Sequence, residues 1–501
     1  MDDPTRIAAP RAELASADDL TGAAEAVLPA LDAFLRYSGP DGAPRRSAWL
    51  PALDEPLPEE GAGREAVLAT LRDVVIPNGL RVGHPGFLGW VTTGPSVVPA
   101  VAGLVASIAA PQRWWVHPAN HLDSLAVEWL RDLLGFPRSV VGTFTSGGAT
   151  ANLVGLGAAR QHAGERLGID PSRDGVAAIP SPRVYVTSET HHVVGRALGT
   201  LGLGRANVRE IPLDRERRMD LRALEAALDE DRAAGRTPVA VVGNAGDVNT
   251  GIVDPLGPMA EIAHARDVWF HVDGAYGGWG LLDDRVRARY GDPGTYDSFA
   301  VDPHKWMAVP VGTGLTLCRD RGILTRAFRI EMGAYDRERQ SSLEAAAARP
   351  EDAVPWEELG RGTPDWGVDF STPARGLAVW ALLREIGARG IRERIVRHDD
   401  AARELAALVR ATPGLELLAE PELSICVFRH VPDGMTDPAA IDDHNAAILR
   451  VLRTRGRSLP SATRVDGRYG LRACFLNPRN EAVEAAILVE ETLAAARTLA
   501  G

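Results

Sequence analysis

Lys305, in the stretch VDPHKWM (301–307), is the only lysine in a chain with 55 basic lysine and arginine side chains. Every other one is arginine. A bias towards arginine accounts for lost surface lysines, because either cation solvates a surface. It does not account for the exception, unless one lysine simply survived by chance. A lysine amine can deprotonate when desolvated and attack a carbonyl to form a Schiff base, which a guanidinium cannot do. Lys305 lies between His304 and Trp306 and next to an apolar, glycine-punctuated run, so the reading favours chemistry.

Three upstream stretches carry residues that suit such an amine. TFTSGGATANL (143–153) is a small, polar turn with Gly147 and Gly148 ahead of a helical pattern, where backbone N–H groups and a helix N-terminus can meet an anion. It has neither the lysine of a nucleoside triphosphate loop nor the dinucleotide spacing, and an ordinary strand–helix turn reads the same way. SETHHVVGRAL (188–198) places His191 and His192 after a strand pattern, as a ring-stacking partner, a metal ligand or a core histidine. WFHVDGAYGG (269–278) ends an apolar strand on Asp273, a carboxylate costly to bury unless a cation or donor meets it, or unless it caps the next segment.

The elements that must position these groups follow from periodicity. RVYVTS (183–188), PVAVVGNAG (238–246), VWFHVD (268–273) and GTGLTLCR (312–319) read as strands. LRALEAALDEDRAAG and LGPMAEIAHARD between them read as helices. The alternation predicts an α/β domain with a mainly parallel sheet, in which ligands bind beyond the carboxyl ends of the strands. Three regions are expected: a helical N-terminal segment (1–95), a large α/β domain (96–375) and a small α+β C-terminal domain (376–501) with strands at LSICVFRHV and GLRACFLN. The apolar stretch Gly94–Pro111 is too short and proline-bounded to span a membrane and is expected to be a buried helix.

An anion turn, a histidine, a carboxylate and a lysine, in that order, match the needs of pyridoxal 5′-phosphate. A rival reading takes His271-x-Asp273 and Asp302-x-His304 as metal ligands of a hydrolase, but leaves Lys305 and the glycine turn without a role. The excess of 67 acidic over 55 basic residues argues against nucleic acid or anionic membranes as the main partner. The three widely spaced cysteines form no zinc or disulfide framework and suit a reducing cytoplasm. The charged N-terminus has no apolar signal core.

TSGGATAN, HVDGAYGG and VDPHKWM, in this order and spacing, resemble the group II pyridoxal-phosphate-dependent decarboxylases, which act on aromatic amino acids, tyrosine, histidine or glutamate. The resemblance runs from HPGFLGWVTTGPSVVPA (84–100) to LRACFLNPRN (471–480). It implies fold type I, the aspartate-aminotransferase-like architecture, and a homodimer with its active sites at the subunit interface. It also implies that Lys305 holds the cofactor, that Asp273 pairs with the pyridinium nitrogen and that Ala275 packs beneath the ring. His191 would stack on the ring, Gly147 and Gly148 would meet the phosphate, and His304 would lie nearby. Thr93 falls at a substrate-carboxylate contact. Tyr335, in AFRIEMGAYDRERQ (327–340), is the nearest match to a proton-donating loop tyrosine supplied by the neighbouring subunit.

The family's Gly-Thr-Thr reads Gly246-Asp247-Val248 here, and its Ser-Arg-Arg reads Ser371-Thr372-Pro373, with Arg375 surviving. Both departures concern substrate handling. An aromatic substrate is the first expectation, from Trp90, Val91 and Trp114–Trp115; aldehyde synthase, aldolase and aminotransferase outcomes stay open.

Overall fold

The structure, a computed structural model, describes residues 19–36, 46–112, 117–328 and 366–500. Tyr335, Trp114 and Trp115 lie outside the described residues. Helices Leu20–Leu35, Arg46–Leu53 and Arg64–Thr70 lead into a two-residue strand β1, Phe87–Leu88.

The large sheet is built from β2 (Val141–Thr145), β3 (Pro182–Val186), β4 (Val208–Glu210), β5 (Thr237–Asn244), β6 (Trp269–Asp273), β7 (Ser298–Val301) and β8 (Gly314–Cys318). Its order is β2-β8-β7-β6-β5-β3-β4. Strands β7, β6, β5, β3 and β4 pair in parallel, while β8 is antiparallel to both β7 and β2. Two reversals cancel, so β2 points the same way as the parallel set. The carboxyl ends of all six therefore open on one edge.

Strands β6, β7 and β8 are buried throughout, as expected for strands covered on both faces. Phe270, Phe299, Trp279 and Tyr296 form the centre of the largest core cluster. Each fully buried Leu, Val or Phe contributes about 1.5–3 kcal/mol. This apolar core holds the frame; the polar contacts described below only adjust it.

The second sheet comprises β9 (Leu415–Ala419), β10 (Ile425–His430), β11 (Leu459–Val465) and β12 (Arg468–Cys474), antiparallel among themselves. Strand β1 joins its edge in parallel with β11, Phe87 opposite Leu459. The helical span Gly376–Ala411 packs against both sheets' surroundings and is broken at Gly387, whose φ of 71° suits glycine.

The helix expected to be buried, at Val97–Ala109, is not buried within the chain. Ala106 packs with Leu377, but Val97, Val101, Leu104, Val105 and Ile108 are about half exposed. The pattern i, i+4, i+7, i+8, i+11 makes this a single outward face. Hydropathy reports a need for burial but not which surface satisfies it. No helix among the described residues is long and apolar enough to cross a membrane.

Candidate active site

A cavity of about 280 Å³ opens at the carboxyl edge of the large sheet. Each strand delivers its residues within a few positions of its end. Ser146, Gly147 and Gly148 follow β2, Glu189 and His191 follow β3, and Gly246 and Asp247 follow β5. Asp273 ends β6, with Ala275 after it, and Asp302, His304 and Lys305 follow β7. Gly147, Gly148, His191, Asp273, Ala275, His304 and Lys305 are thus brought together. Trp90 and Thr93 are not among the lining residues. Trp90 is 58% exposed on the surface and Thr93 is buried elsewhere.

The glycine turn is a close approach. Gly147 has φ 137°, and a Cβ on Gly148 would lie 2.5 Å from Asp302 Oδ2 and 3.0 Å from Ala275 Cβ. Gly148 begins the buried helix Gly148–Glu165, whose first N–H groups have no partner within the helix. This end of the cavity can therefore receive an anion.

Lys305 Nζ lies 3.1 Å from Asp302 Oδ2, and the Asp302 carboxylate is almost fully buried. Asp302 entered the sequence reading only as a metal candidate; the signal for its pairing was its position one helical turn before the lysine. His304 Nδ1 lies 2.8 Å from the Thr313 carbonyl, so that nitrogen carries the proton and donates. Asp273 Oδ1 accepts from the Ala275 N–H at 3.1 Å. Burial pushes the His191 imidazole below its usual range, and the Asp273 charge opposes that shift. The His191 and His192 rings are 4.1 Å apart.

The metal reading loses its first pair. His271 is fully buried with both ring nitrogens engaged, 2.8 Å from Ser298 Oγ and 2.7 Å from Asn152 Oδ1. Burial pushes its pKa down to about 4. A spacing of two residues on a strand puts His271 and Asp273 on one face, but His271 lies deeper, under the helix.

Asp247, where a threonine was expected, accepts from the N–H groups of Asn249 and Thr250, each at 2.7 Å, and of Ile252 at 2.9 Å. Its carboxylate is therefore tied into its own loop. Glu189, another lining residue not anticipated, pairs with Arg217 at 2.5 Å and accepts from Asn249 Nδ2 at 2.7 Å. Burial raises its pKa, and the nearby Asp247 charge adds to the shift.

The site has an amine, a buried carboxylate, an anion-receiving turn and an imidazole around one cavity. The model of the pyridoxal-dependent decarboxylase conserved domain matches residues 47–431. The chain belongs to the pyridoxal-dependent decarboxylase family. It is 30% identical over 435 residues to an aromatic-L-amino-acid decarboxylase of Bacillus atrophaeus, covering 86% of this chain and 85% of that protein. It is also 30% identical over 430 residues to an L-2,4-diaminobutyrate decarboxylase of Rhizobium meliloti (strain 1021), covering 85% and 81%. The crystal structure of Oryza sativa TDC with PLP and tryptamine shares the fold at TM-score 0.82, with 23% identity and complete coverage of both chains. The enzyme is a pyridoxal 5′-phosphate-dependent amino-acid decarboxylase with fold type I architecture. The residues present fit that cofactor, since a Cβ at Gly148 would fill the cradle and Lys305 supplies the only amine side chain of the chain.

Proposed function

We propose that the enzyme decarboxylates an aromatic L-amino acid to the corresponding amine and carbon dioxide. The observation carrying the site assignment is the solitary Lys305, paired with Asp302 in a cavity that also holds Asp273, His191 and the glycine turn. Lys305 would hold the cofactor covalently, Gly147 and Gly148 would offer N–H groups to its phosphate, and Asp273 would pair with its ring nitrogen. His191, Ala275 and His304, which line the same cavity, would hold its ring. When bound, the cofactor supplies an electron sink for the bond to the departing carboxylate. The Lys305–Asp302 pair must open for the amine to react, leaving Asp302 as the nearest acceptor for its proton. Tyr335 is assigned the return of a proton to the substrate carbon.

The aromatic preference is supported by the name of the Bacillus relative and by its coverage of most of the chain. A second reading, 2,4-diaminobutyrate, is favoured by the Rhizobium relative and by the acidic side chain of Glu189 at the cavity wall. Carbon dioxide release should be measured with tryptophan, tyrosine, phenylalanine and 2,4-diaminobutyrate, with the organic product identified. Amine from an aromatic substrate is expected. Release from diaminobutyrate alone would remove the aromatic assignment, and an aldehyde product would indicate an aldehyde synthase.

The outward apolar face of Val97–Ala109 supports a homodimer, with Thr93 and Tyr335 serving the partner's site, and the three free, buried cysteines suit a reducing cytoplasm. Light scattering should give twice the chain mass, and Val101→Glu should shift the enzyme to monomer with loss of activity. A wild-type monomer with full activity would rule this out.

A further inference from the structure

Beneath the cavity runs a chain of buried hydrogen bonds whose direction is set at its two ends. Trp269 Nε1, which can only donate, lies 2.8 Å from Ser298 Oγ. At the other end the Gly148 carbonyl can only accept, so Asn152 turns its Nδ2 to it and its Oδ1 to His271 Nε2, and the Ser298 hydroxyl is directed at His271 Nδ1, 2.8 Å away. With Nδ1 accepting, the proton of the neutral imidazole sits on Nε2 and is donated to Asn152 Oδ1 at 2.7 Å. Asn152 Nδ2 donates to the Gly148 carbonyl at 2.8 Å. Trp269, Ser298, His271 and Asn152 are all at least nine-tenths buried. No water competes, and each bond polarises the next.

Two features show that the chain is built in rather than incidental. A Cβ on Gly155 would lie 2.6 Å from His271 Nδ1 and 3.0 Å from Ser298 Oγ, so the helix gives up a side chain to admit the imidazole. Glycine inside a helix costs about 0.5–1 kcal/mol relative to alanine. The endpoint is also specific. The Gly148 carbonyl and the Ala149 N–H belong to one planar peptide unit. Holding that carbonyl along the helix leaves the N–H facing the helix N-terminus, and Ala149 lines the cavity.

We propose that Trp269, Ser298, His271 and Asn152 are positioning residues for the cofactor's phosphate, holding the Gly148–Ala149 peptide with its N–H turned to the anion. The inference rests on the phosphate role proposed above for the glycine turn. None of the four touches the reacting atoms; they act through the peptide.

The test compares two ligands that differ only in the anion. Apoenzyme is titrated with pyridoxal 5′-phosphate and separately with pyridoxal, following the absorption change on binding. Asn152→Leu and His271→Leu should weaken the phosphorylated ligand about tenfold or more, the scale of one charge-assisted hydrogen bond. Pyridoxal should bind as to wild type. His271→Gln, which restores an N–H near Asn152, should recover most of the loss. Equal weakening of both ligands, or none, overturns the proposal. Wild-type protein that binds pyridoxal as tightly as its phosphate would instead overturn the phosphate role of the glycine turn. If the leucine variants do not fold, Ser298→Ala decides, because it frees the His271 tautomer with little change in volume. A loss confined to the phosphorylated ligand is expected there, and affinities equal to wild type for both overturn the proposal.

Discussion

Replacing Lys305 with alanine is expected to reduce multiple-turnover decarboxylation by on the order of 10³-fold or more. No second lysine exists anywhere in the chain to substitute for it. The arginines cannot, because a guanidinium stays protonated and does not attack an aldehyde. Lys305→Arg separates the two parts of this statement. It retains a cation opposite the buried Asp302 carboxylate, so folding should survive while turnover does not. Treatment of wild type with borohydride should bleach the cofactor absorption and leave the added mass on the peptide containing Lys305. Both variants should carry no such mass. Normal multiple turnover in Lys305→Ala would end the assignment.

Asp273→Asn should lower kcat by about 10²-fold or more, with the fold intact, since preorganised charge in a water-poor site is worth several kcal/mol. Asparagine preserves the shape and can still accept the Ala275 N–H that Asp273 Oδ1 now accepts. What it removes is the negative charge proposed to keep the ring nitrogen protonated. A second consequence follows at His191. There, burial lowers the imidazole pKa and the Asp273 charge opposes it. Without that charge the lowering is opposed only by the more weakly acting Asp302 charge, so any limb of the pH–rate profile due to His191 should move to lower pH in Asp273→Asn. The absorption maximum of bound cofactor should shift in the same variant. A kcat within a few-fold of wild type would remove Asp273 from its proposed role.

Much of the site was legible because each group lies directly after a strand whose pattern is local. Gly147, His191, Asp273 and Lys305 sit within five residues of the ends of β2, β3, β6 and β7. The strands containing Val186, Asn244 and Asp273 were readable as short apolar runs. Strands β2 and β7 were not read, although the glycine turn and Lys305 depend on them. Their few residues are too short to stand out from a buried helix by periodicity. Strand β8 was read as a strand, but its direction was not, because antiparallel pairing with both neighbours leaves no mark on composition.

Residue chemistry and local periodicity, which depend only on nearby neighbours, determined the cofactor chemistry and the α/β class and singled out Lys305 as its proposed amine. The rest depended on which distant residues meet. His271 and Asp273 share one strand face and looked equivalent as ligands. Only the helix above them, with Asn152 and the missing Cβ of Gly155, makes one a core histidine and leaves the other in the cavity. The partner of Lys305, the tying of Asp247 into its own loop and the position of Trp90 outside the cavity were decided the same way. The face of Val97–Ala109 belongs with them, since a hydrophobic pattern says that a surface must be covered and only the tertiary structure says that this chain does not cover it.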